Sequence, residues 1–485
     1  MKIVLVEVIP EQNAMTMNLV PPLGLGYIAS SLESKGHKVA IVDGVSYSGL
    51  LDEALRIIIS NKPDILGFTV TSQARMRAME LIKMSKKATG AFTVAGGPHF
   101  YPTAKEALEF IPALDVVIKA EGEYTMCELV DAYARGDSFD KVSGLFFRQK
   151  DGEITETEER PVIKDIDSLP YPAYNLFALK KYSCNLAGLK FPAIGVISSR
   201  GCPNNCIFCA NRVLRKTTLR LRSPVKFVDE VEFLKKEYGY RAFDFWDDTL
   251  TMSRPHIEHI CKEILERNLD IKWFARARVN TVDKELLCLM RQAGCQEIAY
   301  GIESGSDRVL AVINKGISVR QSEEAVRNSA EIGLRVSAYF IVSLPGETIE
   351  DVRLTAGLMN QFKKYTNVHN YYCFSIIYPG TDLEKIARAE NVIPDGFKWY
   401  KPYFFGRNRI AGNDTTLPCY ESKELRMEQI KAVMLQSDSS FSTLKKVLLR
   451  LLKIRSLQEI KDMVVFSFKY LFTYSPKISS KYGTK

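Results

Sequence analysis

Three cysteines within eight residues constrain this chain more than any other feature. Cys202, Cys206 and Cys209 are spaced Cys-x3-Cys-x2-Cys in the run Arg-Gly-Cys-Pro-Asn-Asn-Cys-Ile-Phe-Cys. A closed structural zinc site takes four ligands, usually as two separated pairs, whereas three thiolates leave one iron of a four-iron cluster without a protein ligand. Such an open position is typical of a reactive centre. The alternative is that the thiols pack as small apolar groups, but the proline and asparagines favour an irregular loop that can wrap a cluster.

The size and composition of the chain indicate a multidomain globular protein. Its 485 residues predict about two to four domains, and 46% hydrophobic with 25% charged residues is ordinary for a soluble protein. Ten cysteines are too few for a disulfide framework and, beside a cluster motif, indicate a reducing compartment. The N-terminus has no signal-peptide layout, and no stretch has the ~18 uncharged apolar residues of a membrane span. We therefore expect a cytoplasmic protein.

The first part of the chain, residues 1–138, alternates short β-branched runs with helical patterns. This alternation is typical of an α/β fold with a doubly wound, Rossmann-like parallel sheet. The five strands are predicted at 3–6, 38–42, 65–69, 93–95 and 116–118. Ligands on such sheets bind at the carboxyl ends of the strands, where glycines let a bulky ligand approach the backbone.

A second series of strand-like runs occupies residues 188–385. These runs are predicted at 194–198, 242–246, 271–275, 297–300, 336–342 and 372–376. With the helical segments between them they make six β/α repeats. In a β/α barrel the chemistry sits at the carboxyl ends of the strands, and the three cysteines directly follow the first strand.

A linker is predicted between the two series, at residues 139–187. It contains a small hairpin, with strands at 145–148 and 154–157 on either side of the turn signal Asp151-Gly152. The remaining residues, 386–485, are predicted to form a basic, apolar helical C-terminal region.

The end of the chain is strongly basic and apolar. Between residues 441 and 485 ten Lys or Arg oppose two acidic residues, so this tail carries +8 of the net charge of +9. The stretches 447–454 and 464–472 have the pattern of basic, apolar helices. They form either a helical cap on the catalytic domain or a peripheral contact with an anionic membrane or a lipid-like substrate. Nucleic acid is disfavoured, since no aromatic stacking platforms interrupt the charge.

The cysteine loop and the second series of strands resemble the radical S-adenosylmethionine (SAM) enzymes. In that family the three cysteines hold a [4Fe–4S] cluster, SAM chelates the fourth iron, and an electron from the cluster cleaves SAM to give a radical. The resemblance implies the family's partial (β/α)6 TIM-like barrel over residues 188–385 and an electron donor such as flavodoxin or ferredoxin. It also places Phe208 where the family keeps an aromatic residue beside the adenine of SAM.

Polar residues after the second and third barrel strands match the family's SAM contacts. Asp247 and Asp248 stand at the motif for the SAM amino group, whose ammonium donates to a carboxylate or carbonyl. A helix N-cap is their alternative role. Arg278 resembles the family's partner for the SAM carboxylate, because a guanidinium binds both oxygens. A structural salt bridge is its alternative role.

The next two strand ends extend the resemblance. The run Tyr-Gly-Ile-Glu-Ser-Gly-Ser places Glu303 and Ser304 at the family's ribose motif, where their oxygens bond hydroxyl groups. The turn Ser-Leu-Pro-Gly-Glu-Thr, which begins at Ser343, resembles the loop beside the adenine. These ordered matches favour a SAM-cleaving enzyme over a metal-binding sensor or scaffold, which needs no SAM pocket.

The first domain resembles the cobalamin-binding domain that precedes many radical SAM cores. It lacks the tight Gly-x-Gly-x-x-Gly loop of a nicotinamide site and the Asp-x-His-x-x-Gly motif that gives cobalt a histidine ligand. The resemblance therefore implies cobalamin bound without a protein histidine, or a domain that keeps the fold without the cofactor. The implied cobalamin contacts lie at or near the strand ends and are Gly24, Ser72, Gly96, Gly97, Glu121 and Gly122.

The implied cofactors define the expected reaction. A radical activates a carbon that acid–base chemistry cannot, and cobalamin carries a methyl group. We therefore expect methylation of an unactivated carbon in a small-molecule or lipid-like substrate. The alternative is an anaerobic oxidative cyclase or rearrangement enzyme without net methylation. A methylthiotransferase would carry a second cluster near its N-terminus, but only Cys127 and Cys184 precede Cys202.

Overall fold

The structure, a computed structural model, describes residues 1–10, 20–182, 192–215, 218–401 and 417–437. Within these residues the chain forms two large sheets with helices packed against them. The elements of the first sheet, in chain order, are β1 (Lys2–Val8), α1 (Leu23–Glu33), β2 (Lys38–Val42), α2 (Leu51–Asn61), β3 (Ile65–Val70), α3 (Arg75–Thr89), β4 (Phe92–Gly96), α4 (Ala104–Phe110), β5 (Val116–Ile118), α5 (Glu123–Arg135), β6 (Leu145–Arg148) and β7 (Ile154–Glu156).

The first sheet has the strand order β2-β1-β3-β4-β5-β6-β7, and β1 to β5 are parallel. Alternate residues of β1 point to opposite faces. Val4 and Val6 pack in a core with α2 and α3, while Ile3 and Leu5 pack in a core with α1 and α5. Both faces are covered, which explains the unbroken apolar run of this strand. The predicted doubly wound sheet is confirmed.

The hairpin β6–β7 continues this sheet and is not part of a separate linker. β6 pairs antiparallel with β5, with Leu145 opposite Ile118, and β7 pairs with β6. Leu145 and Phe147 are buried in the same core as α5. Because they alternate along the strand, they give it an apolar face that the sheet covers. The expected linker at 139–187 therefore differs from the structure, in which this sheet extends through β7.

The second sheet contains six parallel strands in chain order, β8-β11-β12-β13-β14-β15. The elements of this part of the chain are β8 (Ala193–Val196), β9 (Ser199–Arg200), α6 (Asn211–Arg215), β10 (Arg220–Leu221), α7 (Pro224–Tyr238), β11 (Ala242–Phe245), α8 (Arg254–Glu266), β12 (Lys272–Ala277), α9 (Lys284–Gln292), β13 (Cys295–Glu303), α10 (Asp307–Val312), α11 (Val319–Glu331), β14 (Arg335–Val342), α12 (Ile349–Phe362), β15 (Val368–Phe374), α13 (Asp382–Ala389) and α14 (Met427–Ser437). The six predicted β/α repeats are confirmed.

Helices cover one face of this second sheet. In β13, Ile298, Tyr300 and Ile302 are buried in a core with α7, α8 and α9, whereas Ala299 and Gly301 on the opposite face are half-buried. In the described residues β8 and β15 are the two edges of the sheet, so the barrel is partial. Because the strands are parallel, their carboxyl ends bring the loops of the predicted site to one side.

After the barrel the chain returns to the first sheet. Residues 393–400 form an aromatic strap, whose Phe397, Trp399 and Tyr400 are buried in the core that contains α2 and α3. Nε of Arg75, on α3, donates to the Trp399 carbonyl at 2.9 Å. The C-terminal region predicted as one unit is therefore divided, because the strap completes the core of the first domain.

The rest of the described C-terminal region packs on the barrel. Ile430 and Met434 of α14 are buried in the same core as residues of α12. The basic, apolar helices predicted at 447–454 and 464–472 lie outside the described residues. Among the residues that the structure describes, no helix has the length and apolar character needed to cross a membrane.

Trp399→Ala should destabilise the protein by about 3–5 kcal/mol, since removal of a buried tryptophan leaves a cavity. The Trp399 side chain is 2% exposed, and its indole Nε1 donates to Glu384 at 3.2 Å. The control is Leu354→Ala on α12, because that side chain is 55% exposed and its loss should cost less than about 0.5 kcal/mol. Urea unfolding followed by circular dichroism measures both variants. Equal midpoints would contradict the packing role of the strap.

Candidate functional site

The three cysteines lie in one loop at the carboxyl end of the first barrel strand. This cluster loop runs from β9 to α6; Cys206 is buried, and Cys202 and Cys209 are half-buried. The Cys209 N–H donates to the Cys206 carbonyl at 3.2 Å, which turns the chain between these two thiols. Burial raises the pKa of Cys209 to about 11, and the charges of the other two thiols act in the same direction. The three sulfurs therefore lie close enough to interact electrostatically.

The chemistry around the cluster loop suits an iron–sulfur cluster. Among the described residues, no three His, Cys, Asp or Glu side chains are arranged to hold a single metal ion. Asn204 Nδ2 lies 3.3 Å from Cys202 Sγ, and Arg278 Nη1 lies 3.9 Å from Cys206 Sγ. N–H donors and positive charge near sulfur stabilise thiolates. Three thiolates with such donors fit three irons of a [4Fe–4S] cluster and leave the fourth open.

Asp247 holds the start of the cluster loop. It is buried after β11 and accepts hydrogen bonds from the Ser198 N–H at 3.2 Å, the Ser198 hydroxyl at 2.8 Å and the Ser199 hydroxyl. Burial raises the pKa of its carboxyl group. The Asp247 carboxylate thus already accepts hydrogen bonds from within the protein. Contact of Asp247 with SAM stays a prediction.

Asp248 connects the two ends of the cluster loop. It accepts hydrogen bonds from the Gly201 N–H at 3.1 Å and from the Asn211 side-chain amide at 2.7 Å. The N-cap of α8 is Ser253, so the alternative role of the two aspartates as helix N-caps is wrong. Contact of Asp248 with SAM stays a prediction.

Two buried cations lie beside the cluster loop. Arg278 is buried and donates to the Lys315 carbonyl. In the described part of the chain no carboxylate pairs with Arg278, so its alternative role in a structural salt bridge is wrong. The Lys315 ammonium pairs with Glu303 at 2.6 Å and lies 5.9 Å from the centre of the Phe208 ring. Lys315, which no sequence motif marked, thus contacts the predicted residues Phe208, Arg278 and Glu303. Together they lie beside Cys206.

Glu303 and Ser304 form a turn at the end of β13. Glu303 has φ 67°, a left-handed conformation that costs a non-glycine residue about 1–3 kcal/mol. Ser304 is fully buried; its hydroxyl lies 3.3 Å from Thr355 Oγ1 and accepts from the Ser306 N–H at 3.2 Å. The serine hydroxyl is therefore used inside the protein, and the ribose contact of both residues stays a prediction.

Ser343 connects the end of β14 to the segment after the strap. Its hydroxyl donates to the Tyr420 carbonyl at 2.6 Å, and its N–H donates to Glu347 at 2.6 Å. Burial raises the pKa of Glu347 to about 7, although hydrogen bonds from the N–H groups of Leu344 and Ser343 oppose the shift. Sequence reasoning assigned no role to Glu347, although its Pro-Gly-Glu turn marks a carboxylate at a strand end. The position of Ser343 beside adenine stays a prediction.

Small residues leave part of the first sheet's carboxyl edge open. Gly96 ends β4 beside Thr69 of β3, and in the described part of the chain a Cβ added there would meet only Ile118, at 3.7 Å from its carbonyl oxygen. Among the described residues, no atom lies within 4 Å of a Cβ added to Gly24, on α1. Both glycines therefore leave room for a bulky ligand near the backbone, which fits the expected cobalamin site.

Three other residues predicted to contact cobalamin have structural roles in the first domain. An added Cβ at Gly97, where φ is 88°, would lie 2.7 Å from Thr69 Oγ1, and one at Gly122 would lie 2.9 Å from a side chain of α1. Ser72 is buried, with its hydroxyl 3.1 Å from Nδ1 of the buried His99. Contact of these residues with cobalamin stays a prediction.

Glu121 joins the two domains. It follows β5 and accepts hydrogen bonds from Arg220 Nη1 at 2.8 and 2.9 Å and from Arg200 Nη1 at 3.2 Å. Arg200 also pairs with Glu123 at 2.7 Å, and none of these four side chains, the interdomain charge network, is more than 11% exposed. Burial acts to raise the pKa of Glu121, but the Arg220 hydrogen bond and the Arg200 charge hold it below its usual value. Because Arg200 precedes Cys202 by two residues, the network ties the cluster loop to the first sheet.

Both domains of the chain match known protein families. Residues 14–130 match the B12 binding domain, and residues 196–359 match the radical SAM superfamily. An "uncharacterized methyltransferase" of Pyrococcus horikoshii is 34% identical over 433 residues, which cover 89% of each chain. The chain belongs to the radical SAM enzymes with a B12-binding domain.

Two further proteins place this radical SAM enzyme among its relatives. The anaerobic magnesium-protoporphyrin IX monomethyl ester cyclase of Cereibacter sphaeroides is 32% identical, and the match covers 69% of this chain and 55% of the cyclase. The solved structure of TsrM, a radical SAM methyltransferase from Kitasatospora setae with cobalamin and a [4Fe–4S] cluster bound, is 20% identical. It matches 90% of each chain with a TM-score of 0.73. This likeness confirms the predicted fold.

Glu121→Gln should destabilise the protein by about 3–5 kcal/mol, because it leaves Arg200 and Arg220 buried without one of their two neutralising carboxylates. The control is Glu53→Gln, whose partner Arg56 is 73% exposed. Loss of such an exposed pair costs about 0–1 kcal/mol. Urea unfolding compares the two variants, and wild-type stability in Glu121→Gln would show that the network does not stabilise the folded chain.

Glu347 should make the protein less stable as the pH rises from 4.5 to about 7. Its pKa is raised from 4.5 to about 7 in the folded state, so in this window the folded state binds more protons than the unfolded state. The stabilisation is complete below pH 4.5 and is lost as the pH passes 7. A shift of this size corresponds to on the order of 3 kcal/mol. Thermal unfolding across this window should show a flatter pH dependence in Glu347→Gln, whereas Glu350→Gln at an exposed position should follow the wild type. Parallel curves for Glu347→Gln and the wild type would contradict the raised pKa.

Proposed function

We propose that this protein is a cobalamin-dependent radical SAM methyltransferase that transfers a methyl group to an unactivated carbon of a small-molecule or lipid-like substrate. The observation that carries the proposal is the interdomain charge network, which holds the cluster loop beside the carboxyl edge of the first sheet. Cofactors at the carboxyl ends of both sheets would share one reaction space. The relatives named as methyltransferases support the reaction type.

The cluster and SAM would be held by residues of the barrel. When bound, the cluster and SAM supply one-electron bond cleavage that yields a carbon radical. Cys202, Cys206 and Cys209 provide the three thiolates. Arg278, buried and without a carboxylate partner in the described residues, stabilises negative charge on Cys206 and can donate to a SAM carboxylate. The Asp248 carboxylate accepts a hydrogen bond from the Gly201 N–H, which holds the loop backbone and therefore the thiols in position.

Cobalamin would occupy the open carboxyl edge of the first sheet and would supply the methyl group. Gly24 and Gly96 leave space there for a large flat ring. His99 is fully buried, and burial lowers its pKa, so it is a neutral residue of the interior. This supports cobalamin bound without a protein histidine, with the remaining strand-end residues Ser72, Gly97 and Gly122 shaping the edge.

An oxidative cyclase or rearrangement enzyme without net methylation is the second candidate. The identity of 32% to the Cereibacter sphaeroides cyclase favours it, although the chain spans only 55% of that protein. Both candidates need a reductant for the cluster, and an electron donor such as flavodoxin or ferredoxin is part of the proposal. A cytoplasmic location with peripheral membrane contact through residues 441–485 also stays a prediction.

Cys206→Ala should abolish formation of 5′-deoxyadenosine from SAM, because the cluster would lose one of its three thiolates. The measurement uses protein purified without oxygen, reconstituted with iron, sulfide and hydroxocobalamin, and reduced chemically. The control is Cys288→Ala on α9, a half-buried cysteine outside the cluster loop. The control should keep SAM cleavage and about four irons per chain. Wild-type SAM cleavage in Cys206→Ala would overturn the proposed function.

The cobalt content of the same wild-type preparation separates the two parts of the proposal. One cobalt per chain, together with methyl transfer from SAM to a product, would support the methyltransferase. Iron without cobalt would keep SAM cleavage but would contradict cobalamin-dependent methylation and favour the second candidate.

A further inference from the structure

Lys315 is a buried cation that no sequence motif marked and that the proposed function leaves without a role. It belongs to the loop between α10 and α11, and its side chain is 9% exposed. In the parts of the chain that the structure describes, its ammonium has one hydrogen-bond partner, the Glu303 carboxylate at 2.6 Å. An ammonium carries three N–H donors, so two of them are unused. Buried polar groups normally have partners, and spare donors on a buried cation indicate a place for a further acceptor.

The loop between α10 and α11 holds Lys315 beside the cluster loop. The residues on either side of the lysine, Asn314 and Gly316, have φ 52° and φ 66°. This left-handed conformation is open to asparagine and glycine and turns the chain sharply at both positions. The Ile207 N–H of the cluster loop donates to the Ile313 carbonyl at 3.2 Å. The lysine is therefore placed before any ligand arrives, which lowers the entropic cost of binding.

The partner of this lysine, Glu303, is turned towards the same space by an irregular strand end. Glu303 has φ 67°, and the register between β13 and β14 shifts between Gly301 and Glu303. Such irregularities redirect a side chain and recur beside active sites. A Cβ added to Gly301 would meet the Glu303 carboxylate and, at 2.9 Å, the Lys315 ammonium. The ion pair therefore lies directly over Gly301, near the carboxyl end of β13.

The neighbouring cation, Arg278, has each of its guanidinium nitrogens engaged by the protein. Its Nη2 donates to the Lys315 carbonyl, and its Nε donates to Asn280 Oδ1 at 3.4 Å. Its Nη1 lies 3.9 Å from Cys206 Sγ, where its charge stabilises a thiolate. Arg278 is therefore partly committed to the cluster loop. The Lys315 ammonium is a second cation at the same place, and among the described residues its only charged partner is Glu303.

A ligand that uses Glu303 must separate the Lys315–Glu303 pair. Breaking a buried ion pair is strongly unfavourable when either charge is left without a partner. A suitable ligand therefore offers hydroxyl donors to the carboxylate and an anion to the ammonium. SAM carries both groups, as the ribose hydroxyls and the carboxylate of its methionine part. A carboxylate that accepts from an ammonium makes a charge-assisted hydrogen bond, which is stronger than a neutral one.

We infer that Lys315 is a SAM-binding residue, whose ammonium leaves Glu303 on binding and pairs with the SAM carboxylate. This inference rests on the SAM-binding part of the proposed function and does not depend on methyl transfer. Glu303 then accepts from the ribose hydroxyls, so neither member of the pair loses its partner without gaining another. Arg278 holds the backbone of Lys315 in place through its carbonyl, while the lysine side chain changes partner.

The test is equilibrium dialysis of the full-length protein against labelled SAM, with the reconstituted cluster kept oxidised so that SAM is not cleaved. Lys315→Gln keeps a donor for Glu303 but removes the charge, and should weaken SAM binding about tenfold. The same change made in Glu303→Gln should again weaken binding about tenfold, because the ammonium acts on SAM directly. A lysine that only positions Glu303 would have no effect in that second background.

Decarboxylated SAM, which lacks only the carboxylate, identifies the group that Lys315 meets. It is measured by competition with labelled SAM. Lys315→Gln should leave its affinity within about twofold of the wild type, because the contact that this variant loses is absent from the analogue.

The control variant is Lys284→Gln on α9, a lysine that is 60% exposed and pairs with Glu331 at 3.4 Å. Loss of such an exposed pair has little effect, so SAM affinity should stay within about twofold of the wild type. Far-ultraviolet circular dichroism and iron content check that each variant is folded. If Lys315→Gln alone does not fold, the comparison of Glu303→Gln with the double variant still decides, since neither leaves a buried carboxylate without its cation.

Three results would each overturn the role of Lys315. They are unchanged SAM affinity in Lys315→Gln, loss of the effect in the Glu303→Gln background, and equal weakening of SAM and decarboxylated SAM. Methyl transfer by the wild-type protein is measured separately. Its failure would contradict the proposed function and leave the role of Lys315 standing, while wild-type methyl transfer with any of the three results would sink only the role of Lys315.

Discussion

A buried ion network between the two domains holds the cluster loop against the first sheet, and the arrangement of the candidate site depends on it. Glu121 and Glu123 come from the first domain, and Arg200 and Arg220 come from the strands that flank the cluster loop. The cost of removing such charges from water offsets much of their attraction, so apolar packing could provide similar stability. A shift of one domain against the other would, however, leave buried charges unpaired. The network therefore selects one relative position of the two domains, with the cluster loop beside the carboxyl edge of the first sheet.

Most of the fold could be predicted because local patterns repeat. Ten of the strands expected in the two sheets follow from short β-branched runs between helical patterns, and their observed bounds differ by a few residues. The predicted bounds are least accurate for the last barrel strand. It begins at Val368, four residues before the predicted start at 372, because His369 and Asn370 interrupt the apolar pattern. The hairpin was expected from its turn, but its pairing with β5 is a long-range contact that local patterns do not encode.

The sequence indicated which residues come together at the candidate site better than it indicated what those residues contact. The cysteines, Arg278 and Glu303 meet as expected, because strand ends of parallel repeats converge. The engagement of Glu121 by Arg200 could not be seen, since the two residues are 79 positions apart and belong to different domains. Similarly, the sequence did not show that Asp247 accepts hydrogen bonds from Ser198 and Ser199, which are close in space but almost 50 positions away in the chain. Acidic residues at a strand end have the same sequence pattern whether they bind a ligand or hold the loop that does.

The aromatic strap has a consequence for the order in which the chain is made. Trp399 and Tyr400 belong to the core of the first domain, yet the whole barrel, from Ala193 to Phe374, is synthesised before them. Domains usually fold as they leave the ribosome, N-terminal first. Here the first domain reaches its complete core only after the barrel has been translated. A ribosome-bound chain that ends with β15 would expose the α2–α3 side of the first domain, where the Trp399 carbonyl later receives Arg75. Between the translation of β15 and that of the strap, a chaperone or an incoming cofactor would meet a first domain whose core is incomplete, beside a barrel that has its six strands but not yet α14.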